Sequence, residues 1–146
     1  MDKIDWCLEQ KKGIELVEPN DNLCEAYFKD ANDSLSGIEN VKGMWRTVMA
    51  YYSCYFSFYA LLMKVGIKCE IHDCTLALMG LFGFDEKEIT FVKKLKKERI
   101  NVQYYHQKSE EVVVEKINSF VLLCKSKANV LKQDEIDKIR GEVKND

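Results

Sequence analysis

Trp45–Val65 reads WRTVMAYYSCYFSFYALLMKV, and inside it Thr47 to Met63 is a run of seventeen residues without a charge. That is the short limit for a membrane span. Thr47, Ser53 and Ser57 interrupt it, and Tyr51, Tyr52, Tyr55 and Tyr59 run through its middle. Tyrosines of a span belong at its ends, so no membrane crossing is expected. A helix that is apolar on nearly every side is instead covered by neighbours on several faces. At about 1.5 Å per residue it would be about 30 Å long, the width of a whole domain. Gly66 ends it.

Working outward, the remaining punctuation separates further helices. A short amphipathic turn around Trp6 and Leu8 leads to Gly13, and an irregular strip passes through Glu18-Pro19-Asn20. Residues before a proline avoid the helical region, so Asn20 or Asp21 is the natural cap of a helix from about Asn22 to Ile38. Leu23, Tyr27, Ala31, Leu35 and Ile38 give it three- and four-residue steps. Gly37 to Gly43 makes the turn into the central helix. After Gly66, Asp73 is expected to cap a helix through Leu81 that Gly80 and Gly83 close, and Asp85 to cap one that runs to about Gln107. Ser109-Glu110-Glu111 is read as the start of a helix to about Leu131, and Asp134 as the start of a short, frayed last one. Val112-Val113-Val114 is β-branched but continues in helical period through Ile117, Val121 and Cys124, so no strand is expected. The fold class is all-α: an up-and-down helical bundle of four to five main helices.

At 146 residues, with 47% hydrophobic and 32% charged residues, the chain has the size and composition of one globular domain, 1–146. Residues 1–20 are its lead-in and 132–146 its C-terminal helix. A single proline, Pro19, and seven glycines favour long helices. The net charge of −2 gives no general attraction to polyanions, so nucleic-acid binding must come from a local patch. Six cysteines (Cys7, Cys24, Cys54, Cys69, Cys74, Cys124) occur without a C-x-x-C pair, and no signal peptide is read ahead of them. Reduced thiols in a cytoplasmic protein are expected. Cys69, His72 and Cys74 form a C-x2-H-x-C cluster of zinc-ligand types, but a fourth ligand is missing nearby. No metal and no cofactor is expected, and His72 is read as a capping or buried hydrogen-bonding residue. The central tyrosines are read as core or dimer interface first and as a base-stacking platform second, and Trp6 and Trp45 as packing.

The local patch is Lys93–Lys108, KKLKKERINVQYYHQK. Arg99 and His106 stand seven residues apart, about 700° of helical rotation, which returns to within about 20° of the starting direction. On one continuous helix both would share a face with Val92, Leu95 and Val102, with Lys93, Lys97 and Asn101 on the other side. A guanidinium braces a phosphate with its forked donors, and an imidazole moves a proton near neutral pH.

Several of these segments, in this order, resemble the HEPN superfamily. They are the central helix with Tyr51-Tyr52-Ser53-Cys54-Tyr55-Phe56 running into Ala60-Leu61-Leu62, then Gly66, Ile71-His72 at the start of the next helix, and the charged helix with Arg99. The likeness spans about Asn20 to Lys125. The lead-in, Asp5-Trp6-Cys7 through Lys11-Lys12-Gly13 to Glu18-Pro19-Asn20, is similar to that of small stand-alone prokaryotic members.

The resemblance implies a helical bundle that pairs as a homodimer and, in many members, a metal-independent ribonuclease built on R-x(4–6)-H. Arg99 and His106 fit the six-residue form, with Ile100 where a polar residue often follows the arginine. A second alignment, to R-x-x-A-D-Y, matches Arg99, Val102, Gln103 and Tyr104 and puts Tyr104 at the histidine position. In the catalytic reading His106 takes or gives a proton while the RNA 2′-hydroxyl attacks the adjacent phosphate, and Arg99 stabilises the developing charge. Asn101, Tyr104 and Tyr105 would help or stack bases, and Lys93, Lys96 and Lys97 would guide RNA. Such an enzyme could be the toxin of a toxin–antitoxin pair. The alternative is a non-catalytic HEPN dimer that binds a nucleotide, RNA or a partner minimal nucleotidyltransferase.

Overall fold

In the computed structural model, which describes residues 2–143, α3 (Met44–Val65) is the axis of the molecule. α2 (Asp21–Gly37), α5 (Glu86–Tyr104) and α6 (Val114–Val130) all pack on it. Tyr51, Cys54, Phe58, Leu61, Leu62 and Val65 are fully buried along its length, as an all-round apolar helix requires. Its polar residues are mostly satisfied inside. The Ser53 hydroxyl donates to the Ala31 carbonyl at 2.9 Å and that of Ser57 to the Ser53 carbonyl at 2.7 Å. The Tyr59 hydroxyl accepts from the Cys69 amide at 3.1 Å, and the Tyr55 hydroxyl meets that of Thr75 at 3.1 Å. A phenol with a partner brings the burial of an aromatic ring at little polar cost, which is how one core helix carries four tyrosines. Among the described residues no helix is long and apolar enough to cross a membrane.

Gly66 closes α3 in the left-handed region (φ 87°), its amide bonded to the Leu62 carbonyl at 2.8 Å. A side chain there would run into Arg140 and the Val17 carbonyl. Asn20 caps α2 through the Leu23 amide, and Asp85 with Glu88 forms a reciprocal capping box on α5. α1 (Lys3–Glu9) carries a second such box, Asp2 with Asp5.

The structure also departs from the sequence expectations. Glu15–Leu16 (β1) and Ile67–Lys68 (β2) form a two-residue antiparallel pair, Leu16 opposite Ile67. α4 (His72–Ala77) has Ile71 at its cap, because the Asp73 carboxylate instead accepts from Lys96 at 2.7 Å. A 3-10 turn, Met79–Phe82, follows before Gly83. α6 starts at Val114, not at Ser109: Glu110 reaches back to Lys94 of α5 at 3.8 Å, and residues 105–113 stay irregular. The last helix, α7 (Gln133–Val143), is docked where fraying was expected. Ile136, Ile139 and Val143 are buried. Arg140 donates to the carbonyls of Val17, Val65 and Gly66 at 2.7, 3.1 and 2.9 Å. Residues 144–146 of the expected helix lie outside the described residues. Trp6 and Trp45 are surface residues, 40% and 50% exposed.

The cysteines are not all free thiols. Cys7 and Cys74 are joined by a disulfide that ties α1 to α4 across 67 residues of sequence, while Cys24, Cys54, Cys69 and Cys124 are free and buried. The C-x2-H-x-C spacing groups Cys74 with Cys69 and His72, but no group of three or more His, Cys, Asp and Glu that could hold a metal occurs among the described residues.

Candidate functional site

Tyr51 and Tyr55 lie one turn apart on α3, and the adjacent Tyr52 opens the same side toward α5. His72, the first residue of α4, lies over them: its ring stacks on Tyr55 at 4.1 Å and 13°, and its Nδ1 is 2.7 Å from the Tyr51 hydroxyl. From α5, Arg99 completes the cluster. Its guanidinium sits 5.0 Å from the Tyr51 ring centre and 5.5 Å from that of Tyr52, and it donates to the Tyr52 hydroxyl at 3.3 Å.

Aromatic faces and one long hydrogen bond are an incomplete set of partners for a half-buried cation. Among the described residues no carboxylate lies within ion-pair reach of Arg99. Its Nε is buried without a partner, as is Oε1 of Gln103 one turn further along α5. The lysines nearby differ in this. Lys96 has Asp73, and Lys94 has Glu98 and Glu110 at 3.9 and 3.8 Å.

Electrostatics fix the protonation states. Burial, then the positive charges of Arg99 and Lys96, lower the pKa of His72 to about 4 against the opposing effect of Asp73. The ring is neutral at pH 7. Burial raises the Tyr51 hydroxyl well above its ordinary value, so it keeps its proton. Tyr51 has no other acceptor among the described residues; it therefore donates to Nδ1, which leaves the imidazole hydrogen on Nε2. The hydrogen bond from Lys96 holds Asp73 below the usual carboxylate range. The cluster thus presents a fixed guanidinium beside a neutral imidazole donor.

Next to it lies a groove of about 660 Å³ between α1, α4 and α5. Lys3, Lys93, Lys96 and Lys97 supply its charge, Leu76, Ala77 and Ile100 its apolar floor, and Asp73 its single acid. Its size is that of an ordinary ligand cleft.

Of the residues read as a site from sequence, Lys93, Lys96 and Lys97 come together in this groove, and Arg99 directly precedes Ile100, which lines it. Arg99 and His106 do not share a helical face. α5 ends at Tyr104, and His106 takes a left-handed conformation (φ 52°) that returns the Gln107 amide to the Asn101 carbonyl at 3.1 Å. His106 is exposed beyond the helix. Tyr104 and Tyr105 are also at the surface, 65% and 69% exposed, while Asn101 is half-buried. The histidine beside Arg99 is His72. From sequence His72 reads as a capping or buried hydrogen-bonding residue and Tyr51 and Tyr52 first as core or interface, and Lys3 carries no signal at all. No family model, curated protein or solved structure matches the chain.

Proposed function

We propose that this chain is a HEPN-like helical domain that binds single-stranded RNA, its phosphates held by Arg99 and the lysine groove. The observation that carries the reading is the half-buried Arg99 guanidinium, which has aromatic neighbours but no carboxylate among the described residues. A buried cation without a counter-charge is costly to the fold and is stabilised by an anionic ligand. Lys3, Lys93, Lys96 and Lys97 extend the positive surface from that point. Tyr104 and Tyr105 add exposed rings at the end of the same helix, suited to stacking on unpaired bases. With a net charge of −2, such a patch is the route by which this protein could hold a polyanion.

The HEPN resemblance selects RNA over DNA. It also brings an up-and-down bundle, pairing of two copies, a cytoplasmic setting and a minimal nucleotidyltransferase partner into the proposal. Binding is proposed ahead of cleavage, because Arg99 is engaged by Tyr51 and Tyr52 while His106 stands exposed past the end of α5.

The test is fluorescence anisotropy of a labelled single-stranded RNA twelve-mer in the presence of chelator, with wild type, Arg99→Gln and the Lys93→Gln/Lys97→Gln double variant. Each variant should weaken binding by about tenfold, with a shallower salt dependence for the lysine variant, and the RNA should remain intact. Equal affinity in all three proteins would sink the reading. Cleavage lost with Arg99→Ala and His106→Ala would replace it by the ribonuclease.

A further inference from the structure

One exposed aromatic ring is tied to the groove by a cation. A single apolar side chain at a surface carries no meaning by itself. Trp6 has more than exposure: the Lys3 ammonium lies 4.4 Å from the centre of its ring, and Lys3 lines the groove with Lys93, Lys96 and Lys97. That contact is made through charge, so the N–H groups of the ammonium stay available to phosphate oxygens. The indole itself is 40% exposed, on a backbone that is firmly fixed. Next to it Cys7 is fully buried and bonded to Cys74 of α4. The Asp2/Asp5 capping box closes the start of α1, Ile4 and Leu8 pack against the core, and the Ile14 amide donates to the Cys7 carbonyl at 3.0 Å.

Resting on the RNA-binding reading above, we infer that Trp6 is a base-stacking residue of the groove: an unpaired RNA base lies on the exposed part of its indole while Lys3 holds an adjoining phosphate. Each nucleotide of a single strand couples a flat base to an anion, and Trp6 with Lys3 couples a flat ring to a cation. Every base has a face to stack, so the pair adds affinity for unpaired strands without reading their sequence. A base inside a duplex is already stacked between its neighbours and is not open to the indole. Trp6 on α1 and Tyr104 and Tyr105 at the end of α5 then supply stacking surface from two separate elements to a strand whose phosphates follow the lysines.

The experiment separates base from phosphate on the full chain. Two probes, the RNA twelve-mer and a base-free inorganic polyphosphate of similar length, are titrated by calorimetry into wild type, Trp6→Leu, Lys3→Gln and Lys97→Gln. Trp6→Leu should weaken RNA binding by about tenfold and leave polyphosphate binding within about twofold, whereas both lysine variants should weaken binding of both probes. The chain has two tryptophans, so Trp45→Phe leaves Trp6 as its one indole. Its fluorescence should be quenched by the RNA and not by the polyphosphate, a measurement that leaves Trp6 itself intact. Quenching by neither probe, or equally by both, would overturn the inference. So would equal losses for the two probes in Trp6→Leu, since Trp6 would then only position Lys3. If Lys97→Gln weakens RNA binding and Trp6→Leu does not, the stacking fails and the groove stands. If no variant changes RNA binding, the groove reading itself has failed and the stacking with it.

Discussion

The Arg99 guanidinium lies 5.0 Å from the ring centre of Tyr51, whose hydroxyl meets His72 Nδ1 at 2.7 Å. One phenol therefore joins a permanent cation to a titratable ring, and Arg99 adds to the burial that keeps His72 neutral. Replacing Arg99 by Gln removes that repulsion. The His72 pKa should rise part of the way back toward 6.5, since burial and Lys96 still hold it down, as the RNA affinity falls. The chain has only two histidines, so NMR titration of their ring protons reads the shift directly. An unmoved His72 titration in Arg99→Gln would mean that the two groups are not coupled.

The depressed His72 pKa also sets a pH dependence of stability. The unfolded chain takes a proton near pH 6.5 while the folded chain resists until about pH 4, so stability should fall as pH drops through that window and level off below it. Allowing for partial solvent screening, the loss is on the order of 2 kcal/mol. Urea unfolding of wild type and His72→Gln at pH 7 and pH 4.5 isolates it: the variant should lose less on acidification.

Glu98 works in the opposite direction. Burial, then a hydrogen bond shared with Glu110 and the repulsion between the two carboxyls, push it up to about 7, against the attraction of Lys94. The folded state holds that proton more tightly than the unfolded one. The contribution is complete below pH 4.5 and is lost as pH rises through 7. Because Glu110 lies in the 105–113 connection, proteolysis there should be faster at pH 8 than at pH 6, and Glu98→Gln should abolish the difference. A cleavage rate that is flat with pH in wild type would refute this.

What the sequence made legible followed from local physics. α3 declared itself by being apolar on every side, and the starts of α2 and α5 by Asn20 and Asp85. The lysines of the groove were readable as a cluster because three of them share one stretch of α5. Where α5 stops was not, since Tyr104 to Lys108 contains no glycine or proline and keeps a helical rhythm; a left-handed histidine does the stopping. Strands of two residues are too short to show alternation. Lys3 and His72 reach the site, and Cys7 reaches Cys74, only through tertiary contacts that no sequence window contains.

His106 therefore offers a clean control. Its φ of 52° suits glycine, so His106→Gly should unfold within about 0.5 kcal/mol of wild type, and its RNA affinity should stay within about twofold. A loss of binding like that of Arg99→Gln would restore His106 to the site.

Gly66→Ala should be costly. At φ 87°, with Arg140 and the Val17 carbonyl in the way, the added methyl should destabilise by about 2 kcal/mol or more. Thermal melts of Gly66→Ala and Arg140→Ala should both show large losses, and the double variant should lose less than their sum.

The Arg140 contacts reach further than the packing of α7. One guanidinium gathers carbonyls from Val17, near the start of the chain, and from Val65 and Gly66, near its middle. These oxygens meet their donor only once α7 has been made. A nascent chain that lacks α7 therefore exposes the turn that the folded chain keeps closed.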